Sequence, residues 1–184
     1  MEAVAERIKL NLVLLTVEEL KALGFSELIP EALRQKRVFK KPSPPICVRV
    51  KRIDYLLPPT LTVILGEYGE LLDFTPTPIE APYSLTDKSL VEYLLFDLPE
   101  VLENERSPVL VRDLSERFST HVYEGVEYCL NILARVSKVY NVSTIVCDKT
   151  LELPNKTASL TIIVGKINGK TVAQIAETNE IFYL

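Results

Sequence analysis

The stretch of this chain that most constrains its fold lies between Ser115 and Tyr140. Apolar residues recur there at steps of three and four, which is the spacing of one face of an α-helix. Segments rich in β-branched residues flank it, Val109 to Val111 before and Val142 to Cys147 after. The pattern predicts strand, long helix and strand, joined as a right-handed crossover between parallel strands. The apolar positions are Phe118, Val122, Val126, Cys129, Leu133, Val136 and Tyr140.

Shorter patterns add further strands. Residues 46–53 alternate apolar side chains with Cys47, Arg49 and Lys51, which indicates a strand with one apolar and one basic face. Residues 61–65 and 71–74 are also strand-like, and the glycines between them favour a hairpin loop.

The firmest local signal is Asn168-Gly169, which separates the strand-like residues 159–167 and 170–175. These two residue types tolerate the positive φ angles of a type I′ turn, so a two-residue hairpin is predicted. Taken together, the patterns predict an α+β fold. We expect a mixed, mainly antiparallel sheet packed against one long helix at about 115–140 and several short helices.

The N-terminal region is expected to be largely helical, with one ambiguous segment. Ile8 to Leu15 alternates as a strand does, yet its apolar character also suits a buried helix. Thr16 to Glu19 matches a capping box, so a helix should begin there and end at Gly24. A second short helix is predicted to start near Pro30, since proline at a first helical position costs no hydrogen bond.

With 184 residues, the chain is expected to form a single domain over 1–184. The proline-rich segment 75–82 is the candidate boundary between two lobes. After it, Thr86 or Asp87 should open one helix, and Asp97 with Pro99 should open a short acidic one.

Charge is sorted along the chain into two adjacent blocks. Eight basic residues and no acid lie between Arg34 and Arg52, whereas residues 53–105 hold eleven acids and one base, Lys88. The net charge of −4 conceals this polarity. Such sorting bears on what the surface attracts rather than on the fold.

The basic block leads to the main functional hypothesis, a non-enzymatic binding module for an anionic partner. A strip of cations can contact the phosphates of nucleic acid by charge attraction, without reading bases, or can contact an acidic protein. Aromatic residues that would stack on bases are scarce, since only Phe39 lies inside the block. The candidate binding residues are Arg37, Lys40, Lys41, Arg49, Lys51 and Arg52.

Two other interpretations of the charge blocks remain open. The cations can pair with the acidic block inside one molecule, which gives them no role in recognition. Alternatively, the two blocks can pair across subunits, which makes the protein a homo-oligomer with a structural role.

A third interpretation is a small enzyme with a site near Asp148 and Lys149. The run Asp148-Lys149-Thr150 resembles the start of the phospho-aspartate motif of cation-pumping ATPases, in which an Asp at a strand end is the nucleophile. The next residue in that family is glycine, whereas this chain has Leu151. His121, the only histidine, would have to take part in any triad and is expected at the flank of the long helix.

The remaining composition predicts a cytoplasmic protein without cofactor or metal. The three cysteines have no Cys-x-x-Cys spacing and are expected to be buried thiols in a reducing compartment. The acidic first residues lack the basic region of a secretory signal, and apolar runs fall far short of the roughly 20 residues of a membrane span. Few labile side chains and twelve prolines are typical of thermophile proteins.

Overall fold

The computed structural model describes residues 2–35, 46–50, 53–66, 72–119, 122–151 and 157–183. The helices are α1 (Glu2–Leu10), α2 (Val17–Ala22), α3 (Ile29–Gln35), α4 (Asp87–Glu92), α5 (Leu98–Asn104) and α6 (Val122–Tyr140), with 3₁₀ turns at Ser26–Leu28 and Ser115–Arg117 and a π-helical turn at Tyr93–Asp97. The strands are β1 (Ile46–Val50), β2 (Ile53–Leu57), β3 (Leu61–Gly66), β4 (Leu72–Thr75), β5 (Ile79–Glu80), β6 (Val109–Arg112), β7 (Thr144–Asp148), β8 (Leu160–Ile167), β9 (Lys170–Ile175) and β10 (Glu180–Tyr183).

These strands form two sheets. The larger has seven strands in the order β10-β9-β8-β3-β7-β6-β5, and the smaller has three in the order β2-β1-β4. Strands β8, β3, β7, β6 and β5 run parallel to one another, while β9 and β10 are added antiparallel at the β8 edge. The predicted α+β class with a mixed sheet is confirmed. Antiparallel pairing prevails only at that edge and in the small sheet, because the crossover connections make the centre parallel.

The larger sheet is buried on both faces, which produces three layers. Successive side chains of a strand point to opposite faces. In β3, Leu61, Val63 and Leu65 therefore pack against the helices, whereas Ile64 packs toward Ile46 and Phe74 of the small sheet. The helical layer and the small sheet thus cover opposite faces of one sheet. Among the described helices, none is both long enough and apolar enough to cross a bilayer.

The predicted unit of strand, long helix and strand is confirmed as β6, α6 and β7. Strands β6 and β7 pair in parallel, with Val109 opposite Thr144. The helix begins at Val122 rather than at Ser115, because residues 115–117 form a 3₁₀ turn and Phe118 is extended. Phe118 instead packs on α6, close to the Cα of Gly125, where a Cβ would lie 2.6 Å from its ring.

The short apolar runs were harder to assign. Of the two alternatives for residues 8–15, the strand is wrong and the helix holds as far as Leu10, where α1 ends and hydrogen-bonded turns follow. The strands β3 and β4 do not form a hairpin, because β4 pairs with β1 in the small sheet. The hairpin partner of β1 is β2, a strand that the sequence patterns did not identify.

Several local predictions are confirmed. Thr16 and Glu19 form both bonds of the capping box that begins α2, and Gly24 follows the helix at φ +81°. Asn168 and Gly169 have φ angles of +50° and +75°, as a type I′ hairpin between β8 and β9 requires.

The buried hydroxyl of Thr62, on β3, has no hydrogen-bond partner among the described residues. Thr62 is fully buried, so its Oγ1 lost water on folding without gaining a bond. We expect Thr62→Val, which keeps the shape and removes the hydroxyl, to raise the free energy of unfolding by about 1 kcal/mol. Urea denaturation checks this value.

Thr144→Val provides the matched control. Thr144 is equally buried, but its Oγ1 donates to the Leu133 carbonyl at 3.2 Å. The same substitution should therefore destabilise the protein by about 1 kcal/mol. Destabilisation by both variants would contradict the assignment of Thr62 as an unsatisfied group.

A polar network joins α2 to α6 at the edge of the core. The Arg135 guanidinium donates to both carboxylate oxygens of Glu19, at 2.8 and 3.0 Å, and to the Leu14 carbonyl at 2.7 Å. Tyr128 also donates to Glu19, as does the Thr16 amide. Burial by itself would raise the pKa of Glu19, but these bonds, first that from Arg135, lower it to about 2.

Acid should therefore weaken the fold through Glu19. Its pKa falls from 4.5 to about 2 on folding, so its contribution is complete above pH 4.5 and is lost as pH falls toward 2. Between pH 7 and about pH 3, we expect the wild type to lose about 1 to 2 kcal/mol more stability than Glu19→Gln. Urea denaturation of both proteins at each pH measures the difference, and parallel losses would contradict the prediction.

Candidate functional site

The predicted basic strip is only partly within the described residues. Arg49 is described on β1, whereas Arg37, Lys40, Lys41, Lys51 and Arg52 lie outside the described residues. Arg34, the first cation of the block, is exposed in the last turn of α3. The structure therefore places Arg34 and Arg49 on different elements, the helical layer and the small sheet.

Arg49 lies on the outer face of the small sheet between two acids. On one side it faces Asp54 of β2, and on the other Asp73 of β4. Its Nε lies 2.7 Å from Asp54 Oδ1, and a second guanidinium nitrogen lies 3.3 Å from Oδ2. The hydrogen bond from Arg49 lowers the pKa of Asp54. At this position the basic and acidic blocks meet inside one chain.

The carboxyl ends of the parallel strands carry a second polar group, which the sequence patterns did not identify. Glu80 is the last residue of β5, and Arg112 is the last residue of β6. Arg112 Nε lies 2.9 Å from Glu80 Oε1, so the two side chains form an ion pair. Nearby, Tyr83 donates to Asp113 Oδ2 at 3.0 Å, and this bond raises the pKa of Tyr83. Open α/β sheets hold ligands at this end, which makes the edge a candidate site.

Arg117 lies beneath this edge and is buried, with 3% of its surface exposed. Its guanidinium donates to the Arg112 carbonyl at 2.9 Å and to those of Pro82 at 2.7 Å and Ala81 at 3.3 Å. The ring of Tyr83 covers it at 5.0 Å. Burial lowers the pKa of Arg117. The buried cation thus ties the end of β6 to the segment after β5, which is a structural role.

Asp148, the candidate nucleophile at the end of β7, is also held by structural contacts. It is buried, and its Oδ2 accepts from the Ser115 amide at 2.7 Å. Its Oδ1 accepts from the Ser115 hydroxyl at 2.7 Å and from the amides of Thr150 and Leu151 at 2.9 and 3.0 Å. Both oxygens are therefore occupied by donors that shape the turn. Lys149 beside it is exposed, and His121 lies outside the described residues.

The described thiols are poor nucleophiles. Cys129 and Cys147 are both buried and free, and burial raises the pKa of each to about 12. A thiol attacks as the thiolate, which such a pKa keeps scarce at neutral pH. Within the described parts of the chain, no three His, Cys, Asp or Glu side chains converge as ligands for a metal ion.

No protein-family model matches this chain, and a search of curated proteins also found no match.

Proposed function

We propose that this protein is a non-enzymatic binding domain that contacts the phosphate backbone of nucleic acid through its basic block, residues 34–52. The observation that carries the proposal is the unbroken run of eight cations over nineteen residues. A run of this kind neutralises phosphates and releases their counterions, which drives binding without sequence readout.

The surroundings of Arg49 suit an exchangeable contact. Its pair with Asp54 is open to water, with 57% and 51% of the two side chains exposed. Exposed ion pairs contribute little to stability, because water and salt screen them. A phosphate can therefore replace Asp54 as the partner of Arg49 at a small cost in stability. Asp54 and Asp73 weaken the attraction of Arg49 for partners that carry little negative charge.

The geometry of Asp148 favours binding over catalysis. The Asp148 carboxylate is 1% exposed and accepts four hydrogen bonds from Ser115, Thr150 and Leu151, so it is held in place and shielded from a substrate. The buried, free thiols Cys129 and Cys147 support a cytoplasmic location, because such thiols persist in a reducing compartment. The pair between Arg49 and Asp54 lies within one chain, so it lends no support to pairing of the blocks across subunits.

Charge reversal tests the proposal. We expect the triple variant Arg37→Glu, Lys40→Glu and Lys41→Glu to bind a fluorescein-labelled DNA of about 20 nucleotides at least tenfold more weakly than wild type at about 50 mM salt. Fluorescence anisotropy measures the affinity. The reason is that the variant replaces attraction to phosphate with repulsion at three positions within five residues.

The control variant reverses three exposed lysines elsewhere, Lys9, Lys21 and Lys170, and has the same net charge. It should keep affinity within about threefold of wild type, since overall charge acts weakly at distances beyond a Debye length. Equal losses in both variants would contradict a localised strip. Tighter binding to polyglutamate than to DNA would contradict nucleic acid as the partner and identify an acidic protein instead.

A further inference from the structure

A cleft of about 460 Å³ opens at the amino ends of the central parallel strands, and none of its lining residues belongs to the basic block. Its walls are the start of β3, the last turns of α6 and the residues that precede β8. Sites for small molecules usually measure about 300 to 1,000 Å³, so the cleft has the volume of a small-ligand site. Its lining residues are Pro59, Thr60, Leu61, Ala134, Ser137, Lys138, Asn141, Thr157 and Ser159.

The lining combines one cation with many neutral polar groups. Lys138 supplies an ammonium group and forms no ion pair with any described residue. Four lining residues carry hydroxyls and one carries an amide, while the apolar part consists of Pro59, Leu61 and Ala134. No carboxylate occurs among the lining residues. The electrostatics therefore favour an anion, and the hydroxyls favour a ligand with hydrogen-bonding groups of its own.

Two of the hydroxyls have properties that suit ligand contact. The Oγ1 of Thr60 is buried with no hydrogen-bond partner among the described residues, although its backbone amide and carbonyl are both bonded. An unsatisfied hydroxyl gains a hydrogen bond when its side chain rotates toward a ligand oxygen at this wall. The Ser137 hydroxyl donates to the Ala134 carbonyl at 2.8 Å and so presents its oxygen as an acceptor.

We propose that this cleft binds a small anion bearing several hydroxyl groups, a phosphate monoester or a carboxylate, with Lys138 as the contact for its charge. The apolar residues Pro59, Leu61 and Ala134 contact the carbon skeleton of the ligand. The cleft shares no lining residue with the basic block, so this proposal is tested independently of nucleic-acid binding.

Three probes of similar size test this proposal by calorimetry and by amide chemical shifts. They are glucose 6-phosphate, gluconate and uncharged glucose. We expect one or both of the anions to bind with a dissociation constant of about 1 mM or tighter, to shift the amides of Ser137 and Ser159, and to bind at least tenfold more tightly than glucose. The stronger anion identifies phosphate or carboxylate as the recognised group.

Lys138→Glu should abolish the binding of the anions, because it replaces the attracting charge with a repelling one. Lys170→Glu, which makes the same change on the exposed β8–β9 hairpin, should leave binding unchanged. The proposal is overturned if neither anion binds at about 10 mM, if glucose binds as tightly as the anions, or if Lys138→Glu and Lys170→Glu behave alike.

Discussion

Replacing Arg117 by methionine is expected to lower the free energy of unfolding by about 3 to 4 kcal/mol. Methionine fills a similar volume but has no donor, so the carbonyls of Ala81, Pro82 and Arg112 each lose the bond from Arg117, while that of Pro82 keeps a second donor, the Leu85 amide. Lysine at this position should recover only part of the loss, because one ammonium group cannot match the planar fork of a guanidinium. Urea denaturation followed by circular dichroism measures all three proteins.

Arg7→Met is the matched control for this experiment. Arg7 pairs with the carboxylate of Asp97 and, like Arg117, lies over an aromatic ring, that of Phe96 at 5.4 Å. More than half of its side chain is exposed, so its loss should cost less than about 1 kcal/mol. If Arg117→Met lowers the free energy of unfolding no more than Arg7→Met does, the buried guanidinium does not stabilise the carboxyl ends of the parallel strands.

Replacing Glu19 by glutamine is expected to cost about 2 to 3 kcal/mol at pH 7. The amide keeps the size of the side chain but removes its charge, which leaves the largely buried Arg135 without a counter-ion. It also weakens the hydrogen bonds that Tyr128 and the Thr16 amide donate to residue 19, so several stabilising contacts of the α2–α6 network weaken together. The free energy of unfolding in urea measures the loss.

Glu92→Gln serves as the comparison for an exposed pair. Glu92 lies 3.5 Å from Lys88 one helical turn away, and the Lys88 side chain is 89% exposed. Such pairs stabilise a protein by less than about 0.5 kcal/mol. If Glu19→Gln costs no more than Glu92→Gln, the network between α2 and α6 does not contribute to stability.

The elements that could be predicted from the sequence depend on neighbours within a few residues. The capping box of Thr16 and Glu19 and the Asn168-Gly169 hairpin each involve contacts three or fewer residues apart, so local residue types are sufficient. Helix α6 was predicted for a similar reason, because its one buried face places apolar residues at regular steps of three and four. Its flanking strands were predicted from their β-branched residues.

The failures occurred where pairing is distant. The neighbours of β3 are β7 and β8, which lie about 80 to 100 residues later in the chain, and the spacing of glycines between β3 and β4 gave no sign of this. Arg117 was missed because a cation that binds backbone carbonyls of residues 81–85 leaves no pattern in residue types. From residue types alone, a basic residue that precedes an amphipathic helix is predicted to be exposed to solvent.

The candidate strip shows the same limit. The alternation of Arg49 with apolar residues correctly predicted a strand with an outward basic side chain, yet it gave no information about Asp54 and Asp73 on either side. Cross-strand neighbours of this kind set the potential at Arg49 and follow only from the register. At Arg49, a phosphate would therefore have to compete with the carboxylates of Asp54 and Asp73.

The salt dependence of DNA binding by the wild-type protein tests the proposed function most directly. If residues 34–52 contact phosphates, the logarithm of the affinity for duplex DNA should fall linearly with the logarithm of salt concentration, with a slope of about −3 or steeper, since each contact contributes about −0.9. The charge-reversal variant at Arg37, Lys40 and Lys41 should show a shallower slope. Absence of binding at about 50 mM salt, or a slope near zero, would contradict nucleic-acid recognition by the basic block.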